Sequence, residues 1–264
     1  MEIKTSQTME DILRAAAEKI RAAKYLTAFT GAGISVESGI PPFRGPGGIW
    51  NKYDPSILDL DTFRRQPGRS WPAIREMFAN LLGAAGRPAV QPNTAHRVLA
   101  KWEAEGRIQA VITQNIDGLH AAAGSRRLVE FHGHCRGVTC LECGRERPWD
   151  AATAEAEVPR CPCGGLFKPG FVFFGEGIPP AALAQAEEAA RRTDCMILVG
   201  TSGVVYPAAA LPMLARRGGA TLIEVNPEPS DYTGKIVDLF IPLPAGDAFG
   251  RLERHVAAVR PPRG

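Results

Sequence analysis

Long apolar runs are missing from this chain. No stretch approaches the roughly 20 consecutive apolar residues that a bilayer-spanning helix needs, and residues 1–21 contain no signal-peptide core. Membrane and exported classes are therefore not expected, and the cytoplasm is the expected location. An excess of one charge is also lacking. Against 31 Lys and Arg stand 28 Asp and Glu, and the resulting +3 is too little to argue for a nucleic-acid partner. Cysteine is sparse, with six in 264 residues. Without an export signal these thiols belong in a reduced compartment, where their spacing points to metal and not to disulfides. Internal repeats and low-complexity tracts are absent.

The composition is that of an ordinary globular protein, 45% hydrophobic and 22% charged. At this length it makes one large domain carrying a smaller one. Residues 9–23 carry Ile12, Leu13, Ala16 and Ile20 at helical spacing. Residues 25–30 are an apolar run that opens into a Gly-rich turn, and residues 41–48 are a Pro- and Gly-dense loop. Residues 55–82 are helical in pieces, 83–92 form a connector, and 94–105 form a helix with Asn93 as its N-cap. Sheet-like runs follow at 108–113, 171–174, 195–199 and 220–225, with a helix at 180–192. This alternation predicts an α/β fold, a parallel sheet covered by helices on both faces. Residues 135–168 are poor in large aliphatics and too few to form a core alone, so they need a staple. That segment and residues 55–82 are expected to pack together as an inserted module.

The staple is legible. Cys140-x2-Cys143 and Cys161-x-Cys163 stand 17 residues apart, close to the ribbon spacing in which four thiolates close a tetrahedron around zinc. The second pair has one intervening residue where two are commoner, and Gly164-Gly165 follow to permit the tight turn. With four protein ligands no position is left for water, so the expected zinc is structural. Cys135, five residues before the first pair, is not expected to be a ligand, and Cys195, in an apolar run, is expected to be a core residue.

After the run 108–113 comes Gln114-Asn115-Ile116-Asp117, and fifteen residues beyond Asp117 stands His132-Gly133. An amide, a carboxylate and an imidazole near a strand's carboxyl end lie where parallel α/β sheets present ligand-binding groups. Gly31 and Gly33 follow the first strand, but the next glycine is Gly39. The G-x-G-x-x-G of an ordinary NAD dehydrogenase is thus missing. Free amides in that Gly-rich turn would suit a pyrophosphate. Of the five histidines, His255 lies in a polar helix, His96 and His120 in helical contexts suited to packing or surface roles, and His134 at the edge of the cysteine segment. His132 has the residue type for proton abstraction near neutrality, although the residue alone leaves a packing role open.

Taken together, Gly31-Ala32-Gly33-Ile34-Ser35, Ser38-Gly39-Ile40-Pro41, Phe43-Arg44, Gln114-Asn115-Ile116-Asp117, His132-Gly133 and the two cysteine pairs resemble the sirtuin family. Sirtuins are NAD-dependent protein deacylases, and the likeness is to the minimal bacterial and archaeal catalytic core, from about residue 22 to 247. The resemblance implies a Rossmann-like NAD-binding domain of residues 1–44, 91–134 and 169–264. The helical insert 45–90 and the zinc insert 135–168 would form the small domain. It implies His132 and Asn115 as catalytic residues. NAD contacts would come from Gly31, Ala32, Gly33, Ser35, Phe43 and Arg44, from Gln114, Asn115, Ile116 and Asp117, and from Gly200, Thr201 and Ser202. Asn226, Pro227, Glu228 and Ala245 would complete the adenosine side. The acyl-lysine oxygen would attack C1′ of the nicotinamide ribose, and His132 would deprotonate the ribose hydroxyls. Nicotinamide, acylated ADP-ribose and free lysine would result. The peptide would bind by strand addition between Gly175-Glu176 and Val204-Val205-Tyr206.

Two departures matter. Pro42 stands where many relatives carry Asp or Thr, which removes a side-chain hydrogen bond and stiffens the cofactor loop. Relatives that remove succinyl or malonyl groups carry Tyr and Arg three positions apart in the helical insert. None of the four tyrosines here has that partner, and Ile74 and Met77 are placed at those positions. An acidic acyl group would meet apolar atoms there, so neutral acyl groups are expected. Other readings are an ADP-ribosyltransferase on the same scaffold, a non-catalytic NAD-sensing module and a dehydrogenase. An intact His-Gly and Asn-x-Asp set disfavours the first two, and the missing third glycine disfavours the last.

Overall fold

The structure is a computed structural model, and it describes residues 8–42, 47–82 and 89–258. Its strands are β1 (Leu26–Thr30), β2 (Ile108–Thr113), β3 (Leu128–Glu130), β4 (Gly133–Cys140), β5 (Glu146–Pro148), β6 (Phe167–Phe171), β7 (Cys195–Val199), β8 (Thr221–Val225) and β9 (Leu239–Ile241). Six of them form a sheet in the order β3-β2-β1-β7-β8-β9, every pair parallel. Its central strands are buried on both faces, which is why they read as unbroken apolar runs. The expected α/β fold is present. Chain order reverses between β1 and β7, and such a switch point opens a crevice at the strands' carboxyl ends.

The helices are α1 (Met9–Ala22), α2 (Leu60–Arg65), α3 (Pro67–Leu82), α4 (Thr94–Ala104), α5 (Leu119–Ala123), α6 (Ala151–Glu155), α7 (Pro180–Arg192), α8 (Ala210–Arg217) and α9 (Ala245–Ala257). No helix among the described residues is long and apolar enough to cross a membrane. Helices α1, α4 and α9 cover one face of the sheet, where Leu13, Ile20, Trp102 and Phe249 join the strands in one buried cluster. Helices α7 and α8 cover the other face through Ala186, Ala190, Leu211 and Ala215. Thr8 caps α1 in a reciprocal box with Asp11. Asn93 caps α4 by accepting from the Ala95 amide at 2.9 Å, and its own amide donates to the Ile34 carbonyl at 2.7 Å. One side chain therefore starts a helix and ties it to the turn after β1.

The remaining strands form a separate antiparallel sheet, β5-β4-β6. Helices α2 and α3 pack on it through Phe63, Trp71 and Phe78, which meet Phe171 and Phe173 in a third buried cluster. Here the structure corrects an expectation. The run 171–174 is not a strand of the parallel sheet: β6 ends at Phe171 and pairs with β4. Its neighbours in sequence explain this. A parallel strand needs a covering crossover, whereas between β4 and β6 the chain has only β5, the short α6 and a cysteine turn. The expected boundary between residues 168 and 169 accordingly cuts through β6. His255, expected in solvent, instead pairs with Glu10 at 2.7 Å and joins α9 to α1.

Candidate functional site

At the switch point the two crevice walls touch through backbone. The Gly31 amide donates to the Val199 carbonyl at 2.9 Å and the Gly33 amide to the Gly200 carbonyl at 2.8 Å. A Cβ on Gly33 would lie 2.5 Å from the Gly200 Cα, so only glycine lets the strands' ends close. The Gly31 and Gly33 amides are thus spent on Val199 and Gly200, and are not among the free amides expected of this turn. The turn that follows, Ala32–Ser38, is a 3-10 helix.

A cavity of about 720 Å³ opens beside this contact. Gly31, Ala32 and Gly33 line it from the first turn, Gly200, Thr201 and Ser202 from the residues after β7, and Asn226 and Glu228 from those after β8. Gln114, Asn115, Ile116 and His132 form its middle, and Gly175, Glu176, Val204, Val205 and Tyr206 its mouth. Two cross-links hold the floor. Gln114 donates to the Thr201 hydroxyl at 3.2 Å, and Asn226 donates to the Thr201 carbonyl at 3.1 Å. A second cavity of about 160 Å³ shares Ala32, Met77, Asn115 and Ile116 with the first, and adds Ser35 and Asp117. Asn115 stands at the junction.

Not every expected residue reaches these cavities. Pro227 lies between two lining residues without lining the cavity itself. Ala245 is buried at the start of α9 in the sheet's core. Met77 lines both cavities, but Ile74 is fully buried in the aromatic cluster of the insert. Residues three apart share one face of a helix, and both side chains join the insert's buried cluster, but only Met77 also reaches the cavities. Phe43 and Arg44 lie outside the described residues.

The chemistry-bearing groups are held in fixed states. The Nδ1 of His132 is 3.1 Å from the Gln114 carbonyl. A carbonyl can only accept, so Nδ1 carries the proton and Nε2 keeps its lone pair. Burial draws the imidazole pKa below its ordinary 6.5, with the Gln114 bond opposing. His132 is therefore a neutral base at physiological pH. The Asn115 amide donates to the Gly31 carbonyl and the Ser35 hydroxyl, both at 3.2 Å, which leaves its oxygen as acceptor. Asp117 accepts from Ser35 at 2.7 Å and from the Leu119 amide at 2.9 Å. Burial pushes its carboxyl above the ordinary range, and those bonds oppose the shift.

Several contributing residues were not singled out by sequence. Leu58, Ser230 and Asp231 line the large cavity. Below Asn115 runs a buried chain: His120 Nε2 meets the Thr30 hydroxyl at 3.0 Å, Thr30 donates to Thr113 at 2.9 Å, and the Thr113 hydroxyl accepts from the backbone N–H of Asn115 at 3.1 Å. The only signal for it in the sequence is a threonine closing both strands.

In the insert, the Sγ atoms of Cys140, Cys143, Cys161 and Cys163 all lie within 4.8 Å of one another. Cys140 and Cys163 are 3.6 Å apart, and Cys143 and Cys161 3.7 Å. A zinc tetrathiolate with Zn–S bonds of about 2.3 Å has edges of roughly 3.8 Å, so the quartet fits the metal. A Cβ on Gly165 would sit 2.6 Å from the Cys140 sulfur, which accounts for the glycine behind the short second pair. Cys135 stands outside the quartet and Cys195 is buried, both as expected; Cys135 is buried too.

Known proteins resemble this chain closely. A model of the Sir2 family matches residues 31–207. An NAD-dependent protein deacylase of Aeropyrum pernix is 45% identical over 233 residues, covering 88% of this chain and 92% of that protein. A solved Sir2 homologue–NAD complex superposes with a TM-score of 0.82 at 39% identity, covering 92% of this chain and 93% of that one. A Sir2 variant holding a deacetylated p53 peptide and 3′-O-acetyl ADP ribose gives 0.85 at 36% identity, covering 92% and 97%. The chain belongs to the Sir2 family.

Proposed function

We propose that the chain is an NAD-dependent protein-lysine deacylase that prefers neutral acyl groups and releases nicotinamide, O-acyl-ADP-ribose and free lysine. The observation that carries this reading is His132, a neutral base of fixed tautomer in the wall of a cavity that also presents Asn115. The relatives named NAD-dependent protein deacylase support it. NAD is the co-substrate. Its pyrophosphate lies along Gly31–Gly33 and Ser35, and its adenosine half lies near Gly200–Ser202, Asn226 and Glu228. The carboxamide reaches Asp117 through the smaller cavity beside Ile116. His132 takes a proton from a ribose hydroxyl, and Asn115 orients the sugar. One zinc on the four cysteines is structural.

The acylated peptide lies extended between Gly175-Glu176 and Val204-Val205-Tyr206, where strand addition reads backbone more than side chains. Phe174, Val204 and Tyr206 are 45%, 50% and 65% exposed at that mouth, which suits a partner that covers them. Met77, Leu58 and Phe171 give the acyl group apolar walls, and a carboxylate there would lose its hydration without a paired charge. Of the two expected acyl-pocket positions, we retain Met77. We take residues 1–44, 91–134 and 172–264 as the nucleotide domain and 45–90 with 135–171 as the small domain, the last boundary moved past β6 from the expected 168/169. The cytoplasm is the proposed location, with no direct role for nucleic acid.

The test is incubation with NAD and acetyl-lysine or succinyl-lysine peptide, with products followed by mass. Acyl-ADP-ribose should form faster from the acetyl peptide. His132→Ala should lower the rate by about 100- to 10,000-fold. ADP-ribose attached to protein would instead favour a transferase, and faster desuccinylation would sink the neutral pocket.

A further inference from the structure

Lys168 is a buried cation, its side chain only 8% exposed. One short segment supplies all its partners. Its Nζ donates to the Pro169 carbonyl at 2.9 Å and the Phe171 carbonyl at 2.6 Å, and lies 3.1 Å from Glu176 Oε2. Three acceptors match the three N–H bonds of an ammonium. The Phe173 ring lies against the cation, its centroid 4.6 Å from Nζ. The same Glu176 oxygen accepts from the Phe173 amide at 2.8 Å, and the Glu176 amide returns to the Phe173 carbonyl at 3.1 Å. Residues 168–176 thus close around one charge.

The outward side of this clasp is a wall of the large cavity, formed by residues 171–176. Its edges are fixed to both halves of the molecule. The Val172 amide donates to the carbonyl of His132 at 2.9 Å, and Phe174 exchanges bonds with Leu58 and Leu60 at 2.8 and 3.0 Å. Lys168 itself does not line the cavity. Burial draws its pKa below the ordinary lysine value, and Glu176 opposes that. A buried ion pair seldom adds net stability over an apolar pair of the same shape, whereas its directional bonds single out one conformation.

We infer that Lys168 is a positioning residue for the acylated peptide: with Glu176 it holds residues 171–176 in the shape that receives the substrate, and so sets peptide affinity without acting on NAD. The inference rests on the deacylase reading for the identity of the ligand. Lys168 is not among the residues that line the cleft and acts only through the segment it folds.

The test uses the full zinc-loaded chain as wild type, Lys168→Met, Lys168→Arg and the double variant Lys168→Met with Glu176→Gln. Acetyl-peptide binding is read by fluorescence anisotropy, ADP-ribose binding by calorimetry, and KM and kcat for each substrate where turnover occurs. Lys168→Met should weaken peptide binding and raise peptide KM by about tenfold, with ADP-ribose affinity and NAD KM within about twofold of wild type. Lys168→Arg keeps charge and donors and should recover most of that loss. The double variant removes the orphaned carboxylate while its amide oxygen still accepts from Phe173. It should fold if Lys168→Met does not, and it should keep the weakened peptide binding. Unchanged peptide affinity in a folded variant lacking the lysine overturns the inference. So does an equal fall in ADP-ribose affinity, which would mark general damage. A wild type that binds peptide without turnover overturns the deacylase reading and leaves the affinity comparison standing, whereas one that binds no peptide overturns both.

Discussion

One wall of the central cleft comes from the parallel sheet and is built of backbone; the other comes from the insert and is built of side chains. On the sheet side, Gly31 and Gly33 press against Gly200 with no room for a Cβ, and the surrounding strands are fully buried. On the insert side, Phe63, Trp71, Phe78, Trp149, Phe171 and Phe173 stack within a module whose sheet has only three strands. Four cysteines hold its far end. The sheet wall draws its stiffness from a core on both faces and tolerates no side-chain change. The insert wall depends on a metal and on aromatic packing, so substitutions such as Met77 can tune it without disturbing the crevice. A ligand that never varies suits the first wall, and a variable acyl-peptide suits the second.

If the two walls are stabilised separately, removing zinc should separate them. Metal binding to small tetrathiolate and related modules is worth about 10–16 kcal/mol of folding free energy. Chelation should therefore abolish deacylation and the near-ultraviolet dichroism of the stacked Trp71–Trp149 pair, while calorimetry still detects ADP-ribose binding. Equal loss of ADP-ribose binding would mean that the walls fold as one unit. The reverse experiment is Gly33→Ala. Its Cβ would meet backbone, which cannot swing aside, and the expected cost is about 3 kcal/mol, seen as a lower urea midpoint. ADP-ribose binding should be lost, while metal content after gel filtration stays at one zinc per chain.

Acid should act on the sheet half by a third route. His96 and His120 are fully buried edge to face at 4.8 Å, and burial lowers their pKa values to about 4 and about 3. Between those values and the unfolded value of 6.5 the unfolded chain binds protons that the native chain refuses. Stability must therefore fall as pH drops below 6.5, by roughly 1.4 kcal/mol per pH unit for each histidine. Neither ring nitrogen of His96 has a partner among the described residues, so His96→Met should fold and remove about half of that pair's slope between pH 6 and 5. Urea titrations at the two pH values measure it; an unchanged slope would assign the acid sensitivity elsewhere.

Much of the architecture was legible because it rests on local pattern. The apolar runs that became β1, β2, β7 and β8, and Asn93 as a helix cap, need only neighbours a few residues away. The short strands β3 and β9 were missed, since three residues carry too little periodicity to stand out. The run 171–174 was assigned to the wrong sheet because an apolar run does not say which strand it will pair with. Ile74 and Met77 were both placed toward the acyl pocket; they share a face of α3 within the insert's core, but Ile74 is wholly covered there and only Met77 reaches the cavity. His96 and His120 were expected to pack or to lie at the surface, and nothing local indicated that they would face each other in the core.

By itself the sequence determined the zinc quartet, the alternating strands and helices, and the presence of His132, Asn115 and Asp117 after strand ends. Each of those depends on residue type and spacing along the chain. Only the tertiary structure decided that the Gly31 and Gly33 amides are spent on Val199 and Gly200, that His132 holds one tautomer, and that Lys168 lies buried inside the segment walling the cleft. Those states are set by partners distant in sequence or by burial, and spacing along one segment carries no information about which atoms close packing will bring against it.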